Sequence, residues 1–358
     1  MLINVLLVII SILLFSLVIF IHELGHFMTA KLSGVRVNEF AIGMGPAIFK
    51  IKKKDTLYAL RLFPVGGYCA MEGEDTESTS KDAFSQKSVF KRILIVASGA
   101  IMNIILAFVF MVVVTAQQPQ FASTKISKFS ENATTSQYGL KPGDTIKSID
   151  GYNVSTFTDI NFMLAVNKNF TSDIIVDRAG EEVKLSGVKF ATREEKGKTV
   201  LVRDFYVFPI ERNMGTVIIQ SSKEMGSNIR ITYATLIGMV TGKLSINEVS
   251  GPVGLVSVIS TVASEGLKVN FLAALNNVIM VMMLLSVNLG IFNLLPIPAL
   301  DGGRLVFLII EAIKGSPVNP KYEGLIHTAG FAMLILLILF VTVNDIIKLF
   351  SEKGTGGL

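Results

Sequence analysis

The hydrophobic positions of the chain are grouped into four long runs that carry no Asp, Glu, Lys or Arg. They cover residues 1–21, 93–115, 269–300 and about 325–344. An uncharged apolar run of roughly 18 residues or more is long enough to cross a bilayer as a helix. Pro296 and Pro298 are expected to end the third helix before its run ends. The pattern therefore predicts four membrane-spanning helices.

The first run could also be read as a cleaved signal peptide. Such a peptide usually begins with a cationic segment and has a shorter apolar core. No Lys or Arg precedes this run. We therefore predict a permanent span.

Between the second and third spans the pattern changes to short apolar stretches separated by turn signals. GLKPGDTIKSIDGYNV (139–154) and TSDIIVDRAGEEVKLSGVKF (171–190) contain Gly-Asp, Asp-Gly and Ala-Gly turns beside strand-like residues. TDINFMLAV (158–166) is typical of a helix between them. We predict a small soluble α/β domain from about Gln120 to Glu211.

Three further segments are apolar without being long enough to span as uncharged runs. Residues 38–51 and 57–71 are two β-prone stretches separated by charged residues, and they predict a hairpin or small sheet lying against the membrane. Residues 224–246 have near-helical amphipathic spacing, which suits a helix on the membrane surface or one packed on the small domain. Residues 250–260 are too short to span and fit a re-entrant or interfacial segment.

Composition and charge support a membrane protein. The 358 residues are 51% hydrophobic and 17% charged, with a net charge of +5. Basic residues are not interleaved with aromatic ones as in a nucleic-acid-binding protein, so we expect no nucleic acid partner. The lone Cys69 excludes an intrachain disulfide and is expected to be a passive small residue.

The distribution of basic residues predicts the orientation of the spans. Positively charged loops normally remain on the cytoplasmic side. The loop after the first span is rich in Lys and Arg, whereas no basic side chain precedes that span. We predict an extracytoplasmic N-terminus and three parts: an N-terminal membrane part (1–115), an extracytoplasmic domain (116–212), and a linker with the C-terminal membrane part (213–358).

The first span ends in the sequence HELGH (22–26). His22 and His26 are four residues apart, so both imidazoles lie on one face of a helix, a spacing that suits two zinc ligands. Glu23 projects beside the metal position, where it can take a proton from a zinc-activated water. Ionisable groups at membrane depth are costly and usually functional, which argues against a chance pattern.

A catalytic zinc site needs a third protein ligand. Asp301 ends an uncharged stretch of more than thirty residues in NLLPIPALDGGRL (293–305). The first and third spans both enter the cytoplasm, so Asp301 and the histidines reach the same membrane depth. A helix cap is the competing interpretation for Asp301. The remaining histidine, His327, is expected to be a packing or interfacial residue.

Asn293 carries a side-chain amide in the same apolar region. It suits hydrogen bonding to the substrate backbone or to the developing oxyanion, and an interhelical hydrogen bond is an equally good interpretation. The chemistry expected of this set of residues is peptide-bond hydrolysis, in which Glu23 passes the water proton to the leaving amine.

The chain resembles the site-2 proteases, and within them the bacterial RseP-type intramembrane zinc metalloproteases. The resemblance covers nearly the whole length and rests on HELGH (22–26), NLLPIPALDGG (293–303), RLFPVGGYCAM (61–71) and KRILIVASGAIMN (91–103). GLKPGDTIKSIDG (139–151) is similar to the PDZ domains that the family carries between its second and third spans. SGPVGL (250–255) and VNDI (343–346) match lesser features.

The resemblance implies a membrane α-helical fold with a membrane-associated sheet after the first span and one extracytoplasmic PDZ-like domain. It implies His22, His26 and Asp301 as ligands of Zn²⁺, Glu23 as the catalytic carboxylate, and Asn293 as a substrate-binding residue. It further implies an edge strand that binds an unwound substrate segment, with the candidate contacts Arg61, Leu62, Phe63, Gly66, Gly67 and Tyr68.

The resemblance also implies substrates and a location. The substrates would be single-span membrane proteins, such as anti-sigma factors or remnant signal peptides. The protein would be a multi-pass plasma-membrane protein, with its active site near the cytoplasmic side of the bilayer.

The sequence departs from the family pattern at three places. Ala100 replaces a proline before Asn103, which predicts a milder kink in the second span. Arg304 stands where several relatives have His, so this position has no metal role. The outer region has room for one PDZ-like domain, whereas some relatives have two.

Two other functions are compatible with parts of the sequence. One is a membrane zinc protease whose active site lies in a soluble region and takes its third ligand from a loop carboxylate such as Glu72 or Glu74. The other is a scaffold with a structural zinc ion, although a closed structural site would have no use for Glu23.

Overall fold

The computed structural model describes residues 2–74, 78–195, 198–244 and 251–354. Parts of the predicted segments 224–246 and 250–260 therefore lie outside the described residues. The helices are α1 (Leu2–Leu32), α2 (Val89–Thr115), α3 (Thr134–Gln137), α4 (Phe157–Val166), α5 (Met214–Val240), α6 (Pro252–Leu267), α7 (Phe271–Leu294), α8 (Asp301–Lys314) and α9 (Pro320–Gly354).

The first two strands are β1 (Val37–Lys53) and β2 (Thr56–Met71). The others are β3 (Gln120–Phe129), β4 (Thr145–Ile149), β5 (Tyr152–Asn153), β6 (Thr171–Arg178), β7 (Glu181–Lys189), β8 (Ala191–Glu195), β9 (Lys198–Val202) and β10 (Phe205–Glu211). The described strands form a β1–β2 sheet, a larger sheet of β3–β7 with β10, and a separate β8–β9 pair.

Four of these helices are long and apolar enough to cross a membrane, which confirms the prediction of a multi-pass membrane protein. They span Val5–Leu32, Val89–Thr115, Phe271–Leu294 and Lys321–Lys348. Helix α7 ends two residues before Pro296, as expected from the loss of the proline N–H donor. The 15-residue apolar helix Val253–Leu267 is shorter than a span.

The length of α1 sets the depth of its C-terminal turns. Its apolar segment has 28 residues, and at 1.5 Å per residue this is about 42 Å, longer than the roughly 30 Å hydrocarbon core of a bilayer. A core that begins near Val5 ends near residue 25. A span placed in this way would put the histidine-containing turn near the end of the hydrocarbon core.

The chain divides into two compact units. One consists of Met1–Phe110 together with Ile246–Leu358, and the other of Met111–Ser245. The first unit contains most of the membrane helices and the β1–β2 sheet. The boundaries predicted at residues 115 and 212 remain predictions.

The β1–β2 sheet is more folded than a simple hairpin. Residues 37–42 pair with residues 67–71 on one side and with residues 57–60 on the other, and residues 57–60 also pair with residues 49–52. The bend occurs near Gly43 and Gly45, both of which have positive φ. As a result residues 67–71 form one edge of this sheet and residues 49–53 form the other.

One face of this sheet packs on the C-terminal half of α1. The Phe40 ring lies 4.9 Å from the Phe27 ring and 6.0 Å from the Phe20 ring, and Tyr58 lies 5.9 Å from Phe27. These residues belong to a buried cluster with Val37, Met71 and Ile95. The packing fixes the sheet beside the histidine-containing turn of α1.

The second unit is built around an antiparallel sheet in the order β10-β3-β4-β6-β7. Its core joins residues from the strands and α4, including Ile126, Ile146, Ile160, Ile174 and Phe205. Helix α4 confirms the helix expected at residues 158–166. The PDZ-like interpretation of this unit remains a prediction.

Helix α5 packs on α4 within this unit. Of the two interpretations of its amphipathic pattern, a helix on the membrane surface or one packed on the small domain, the structure shows the packing on the domain. The fully buried Asp159 carboxylate accepts hydrogen bonds from Ser227 at 2.8 Å and from Arg230 at 2.9 Å. Burial raises the pKa of the nearby Glu224 carboxyl. The polar side of α5 therefore contacts the domain through buried hydrogen bonds.

Asp144 is a structural carboxylate, and its removal is expected to destabilise the second unit. Arg178 donates two hydrogen bonds to it, at 2.7 and 2.8 Å, and the Lys141 N–H donates a third. Asp144→Ala would remove a buried acceptor from the Lys141 N–H and from Arg178, which keeps its hydrogen bond to the Gly139 carbonyl, at a cost of about 1.5–3 kcal/mol. Hydrogen exchange of residues 120–211 in the full-length protein measures this loss.

Asp177→Ala is the matched control. Its carboxylate forms an exposed pair with Lys147 at 3.8 Å, and such pairs contribute about 1 kcal/mol or less. Equal loss of protection in the two variants would contradict the structural role of Asp144.

Candidate metal centre

His22 and His26 present the same nitrogen atom to one point in the structure. They lie on successive turns of α1, and their Nε2 atoms are 3.2 Å apart. Both side chains are buried. The spacing of HELGH on a helix is what brings the two rings together.

Asp301 completes this group from a distant part of the sequence. It is the first residue of α8, and its Oδ2 atom lies 3.3 Å from each of the two Nε2 atoms. No other group of three potential metal ligands occurs among the residues that the structure describes. The structure therefore brings His22, His26 and Asp301 together.

The spacing of these three atoms fits a zinc ion. Ligands about 2.0–2.1 Å from a tetrahedral zinc ion are roughly 3.3 Å from one another. The observed separations are 3.2, 3.3 and 3.3 Å. Three protein ligands leave one tetrahedral position for water or substrate, the arrangement of catalytic rather than structural zinc sites.

The hydrogen-bonding state of the group also calls for a cation. The His26 Nδ1–H donates to the Ile95 carbonyl at 2.9 Å, so Nε2 of the neutral ring carries a lone pair. Asp301 Oδ2 is buried and has no hydrogen-bond donor among the described residues. Lone pairs that converge without a donor are stabilised by a metal ion.

Asn103 of α2 holds the second imidazole in place. The Nδ2 position of its carboxamide lies 3.2 Å from His22 Nδ1, its Oδ1 has no hydrogen-bond donor among the described residues, and the residue is fully buried. A neutral His22 that binds metal through Nε2 carries its proton on Nδ1, so the amide must present its oxygen to that proton. Sequence reasoning gave Asn103 no role, although its polar side chain in an apolar run was a signal.

Replacing Asn103 with Leu is expected to weaken zinc binding. The change keeps the approximate volume but removes the acceptor that orients His22, and the loss of such an outer hydrogen bond typically lowers metal affinity about 10–100-fold. Competition with a chromogenic chelator on the purified full-length protein measures the affinity.

Asn277→Leu is the control for this experiment. Asn277 also lies on an apolar helix, and its amide donates to the Val262 carbonyl at 2.9 Å away from the metal ligands. Equal zinc affinities for the two variants would remove the orienting role assigned to Asn103.

Two glycines allow the backbone to approach the metal centre closely. A Cβ atom at Gly99 would overlap the imidazole of His26 and lie 2.8 Å from His22 Cε1. A Cβ atom at Gly302 would overlap the Leu295 carbonyl oxygen. The first glycine lets α2 contact the two rings, and the second lets α8 begin directly against the preceding turn.

Asn293 and His327 lie on either side of the Asp301 turn. Asn293 Nδ2 is 3.4 Å from His22 Nε2, so this amide is part of the metal centre. His327 Nδ1 accepts a hydrogen bond from the Ala299 N–H at 3.0 Å. Ala299 has a φ of +73°, an unusual conformation for a residue with a Cβ. His327 thus supports the turn that precedes Asp301.

The edge strand of the β1–β2 sheet passes directly beside Glu23. A Cβ atom built on Gly67 would lie 3.2 Å from Glu23 Cγ, and the backbone N–H of Cys69 lies close to the Glu23 carboxylate. Burial raises the pKa of the Cys69 thiol, so this cysteine is a poor nucleophile.

The other candidate substrate-binding residues have different positions. Arg61 joins three segments of the sheet, donating to Glu39 at 2.7 Å, to the Tyr68 hydroxyl at 2.5 Å and to the Gly45 carbonyl at 2.7 Å. Leu62 and Phe63 are exposed. Gly66 has a φ of +83° and packs against Met44. Of the six residues, Gly67 is the one that these contacts bring to Glu23.

The carboxylates of the first loop have partners of their own. Glu72 accepts hydrogen bonds from Asn38 at 3.0 Å and from Ser78 at 2.8 Å. Glu74 forms an ion pair with Arg304, one turn after Asp301. These contacts favour Asp301 over a loop carboxylate as the third ligand.

A second ion pair secures the same helix. Glu311 of α8 and Arg92 of α2 form a two-point pair whose side chains are only 13% and 12% exposed. Asp301, Arg304 and Glu311 occupy one face of α8, since helical residues three, four and seven apart share a face. Both ion pairs therefore orient the face of α8 that carries Asp301.

Comparison with known proteins supplies relatives for the whole chain. The family model described as Peptidase family M50 matches residues 10–337. A candidate zinc metalloprotease of Clostridium acetobutylicum is 38% identical over 95% of this chain and 97% of its own length. A similar protein of Fusobacterium nucleatum is 34% identical over 96% of this chain and 99% of its own length. The regulator of sigma-W protease RasP of Bacillus subtilis is 32% identical, also over 96% and 99%.

Proposed function

Because the chain belongs to peptidase family M50, the site-2 protease family, and is a zinc metalloprotease, we propose that it hydrolyses peptide bonds within or near the transmembrane segment of single-span membrane proteins. The observation that carries the proposal is the triangle, with sides of 3.2–3.3 Å, that Asp301 of α8 forms with His22 and His26 near the end of a membrane helix.

Each residue of the centre has a proposed task. His22, His26 and Asp301 would hold Zn²⁺, which supplies Lewis acidity that activates water near neutral pH and polarises a peptide carbonyl. Glu23 takes the proton of the attacking water and delivers it to the leaving amine. Asn293 is close enough to the centre to hydrogen-bond the substrate backbone or the developing oxyanion.

The edge strand provides a place for substrate. A transmembrane helix keeps its peptide groups in its own hydrogen bonds, so its backbone must unwind before hydrolysis. Residues 67–71 are an edge of the β1–β2 sheet beside Glu23, and such an edge can accept an added strand. Gly67 and Tyr68 would then contact substrate, with Arg61, Leu62, Phe63 and Gly66 shaping the same strand.

We propose the cellular setting from the distribution of charge and from the relatives. The N-terminus would be extracytoplasmic, the metal centre near the cytoplasmic side, and the domain of residues 116–212 extracytoplasmic and PDZ-like. The name of the Bacillus subtilis relative refers to regulation of sigma-W. Anti-sigma factors are therefore one proposed class of substrate, and remnant signal peptides, which the family resemblance implies, are the other.

Cleavage of a defined substrate in lipid tests this function. The purified full-length protein is reconstituted with a single-span protein whose membrane helix contains helix-destabilising residues. A matched substrate has a polyleucine helix. We expect chelator-sensitive cleavage inside the first helix, mapped by mass spectrometry, and much slower cleavage of the second. Cleavage confined to soluble segments would favour a soluble-site protease, and no cleavage would favour the scaffold.

A further inference from the structure

A tight turn comes directly before Asp301. The Leu300 N–H donates a hydrogen bond to the Ile297 carbonyl at 3.2 Å. Pro298 and Ala299 are the two central residues of the turn closed in this way. Ala299 has a φ of +73°. Proline followed by a positive φ is the pattern of a type II turn, in which glycine is the preferred second residue. Ala299 therefore holds its conformation against the steric cost of its Cβ atom.

A side chain of the last membrane helix reaches this turn. His327 Nδ1 accepts a hydrogen bond from the Ala299 N–H at 3.0 Å. The hydrogen bond that closes the turn does not use this N–H, so His327 supplies its acceptor. The His327 ring also lies 5.7 Å from the ring of Phe307 on α8. His327 thus contacts the chain both before and after Asp301.

A glycine lets α9 come this close to the turn. Gly330 follows His327 by three residues, so the two lie on one face of α9. A Cβ atom at Gly330 would lie 2.4 Å from Pro298 Cβ and 2.8 Å from the Pro298 carbonyl oxygen. Helix α9 therefore packs directly on the backbone of the turn. His327 is moreover an ionisable residue within the span Lys321–Lys348, a placement that is costly and usually functional.

We propose that His327 is a positioning residue of the metal centre, which sets the affinity for zinc by holding Ala299 at positive φ. Asp301 is the first residue of α8 and lies two residues after Ala299. A change of φ at Ala299 therefore redirects the start of α8. Asp301 Oδ2 must lie 3.3 Å from both imidazoles to complete the group of ligands. Without the hydrogen bond from its N–H, Ala299 can relax to negative φ, and the carboxylate then leaves this position.

The acceptor atom of His327 can be separated from the volume of its ring. A residue that only fills space between α8 and α9 would need the volume of the imidazole, whereas the hydrogen bond needs an acceptor at the position of Nδ1. Asn and Leu both branch at Cγ. Asn places an oxygen near the position of Nδ1, and Leu places a methyl group there. The two substitutions are therefore matched in size and differ in the acceptor.

The zinc affinity of the purified full-length protein tests this inference. Competition with a chromogenic chelator is expected to show binding about tenfold weaker in His327→Leu, as for the loss of other outer partners of a metal site. We expect His327→Asn to bind within about threefold of the unmodified protein, because it keeps the acceptor. Thr328→Val is the control, since it removes a polar group at the next position of α9, where the hydroxyl donates to the Gly324 carbonyl at 2.8 Å. Unmodified affinity in His327→Leu, or equal weakening in the Leu and Asn variants, would overturn the positioning role.

Substitutions at Ala299 test the same link from the other side. Glycine adopts a positive φ without support, so Ala299→Gly combined with His327→Leu is expected to restore the affinity to within about threefold. Ala299→Val leaves His327 in place but makes a positive φ much more costly, and we expect it to weaken binding about tenfold. Low affinity in the double variant, or unmodified affinity in Ala299→Val, would overturn the link through this residue.

The inference rests on the proposed role of Asp301 as a zinc ligand, and Asp301→Ala measured in parallel separates the two. Retention of zinc by Asp301→Ala would overturn the metal centre itself. Loss of zinc from Asp301→Ala together with unmodified affinity in His327→Leu would overturn only the role of His327.

Discussion

Glu23→Gln is expected to abolish peptide-bond cleavage while leaving zinc bound. The side chain follows His22 on α1 and lies beside the edge strand at Gly67. The substitution preserves shape and hydrogen-bonding capacity but removes the group that accepts and returns a proton. General acid–base catalysis typically contributes about 10²–10⁴-fold, so we expect a loss of roughly a thousandfold.

The measurement pairs a cleavage assay with zinc analysis of the same protein preparation. Glu131→Gln is the matched control, because it makes the same chemical change at an exposed carboxylate of the other compact unit. Cleavage within tenfold of the unmodified protein would remove Glu23 from the mechanism. Loss of zinc in Glu23→Gln would show that this carboxylate holds the metal instead.

Asp301→Ala is expected to empty the metal centre. Its Oδ2 atom supplies one of the three converging ligand atoms. Zinc binding of roughly 10–16 kcal/mol shared among three protein ligands implies that the loss of one ligand weakens zinc affinity by about a hundredfold or more. Zinc content after gel filtration, followed by competition with a chelator, measures the effect.

Glu74→Ala separates this site from one completed by a loop carboxylate. Glu74 is paired with Arg304, so its removal is expected to leave zinc stoichiometric. Retention of zinc in Asp301→Ala together with its loss in Glu74→Ala would contradict the metal centre described above. It would instead favour an active site in a soluble region.

The membrane helices could be predicted from the sequence because hydrocarbon imposes a strict rule on residue type over a fixed length. The end of α7 at Leu294 followed from Pro296 for an equally local reason. The pairing of His22 with His26 depends only on helix geometry. Asp301 could be assigned to the same depth because the number of spans determines the side of the membrane on which each span ends.

The remaining features depend on how separate elements are rotated and packed. The contact of Asn103 with His22 requires α2 to turn one particular face toward α1, and helix periodicity does not determine that rotation. The double pairing of residues 37–42 arises from a bend at Gly43 and Gly45 that strand alternation does not indicate. The amphipathic pattern of α5 was compatible with lipid or with protein, and the buried Asp159 showed a protein contact.

The two ion pairs of α8 have a consequence for the protein without its metal. One pair joins residues that are 219 positions apart in sequence, and the other joins residues that are 230 positions apart. Both pairs connect α8 to the half of the chain that contains the histidines. The apo-protein therefore has its own means of keeping the three ligands assembled.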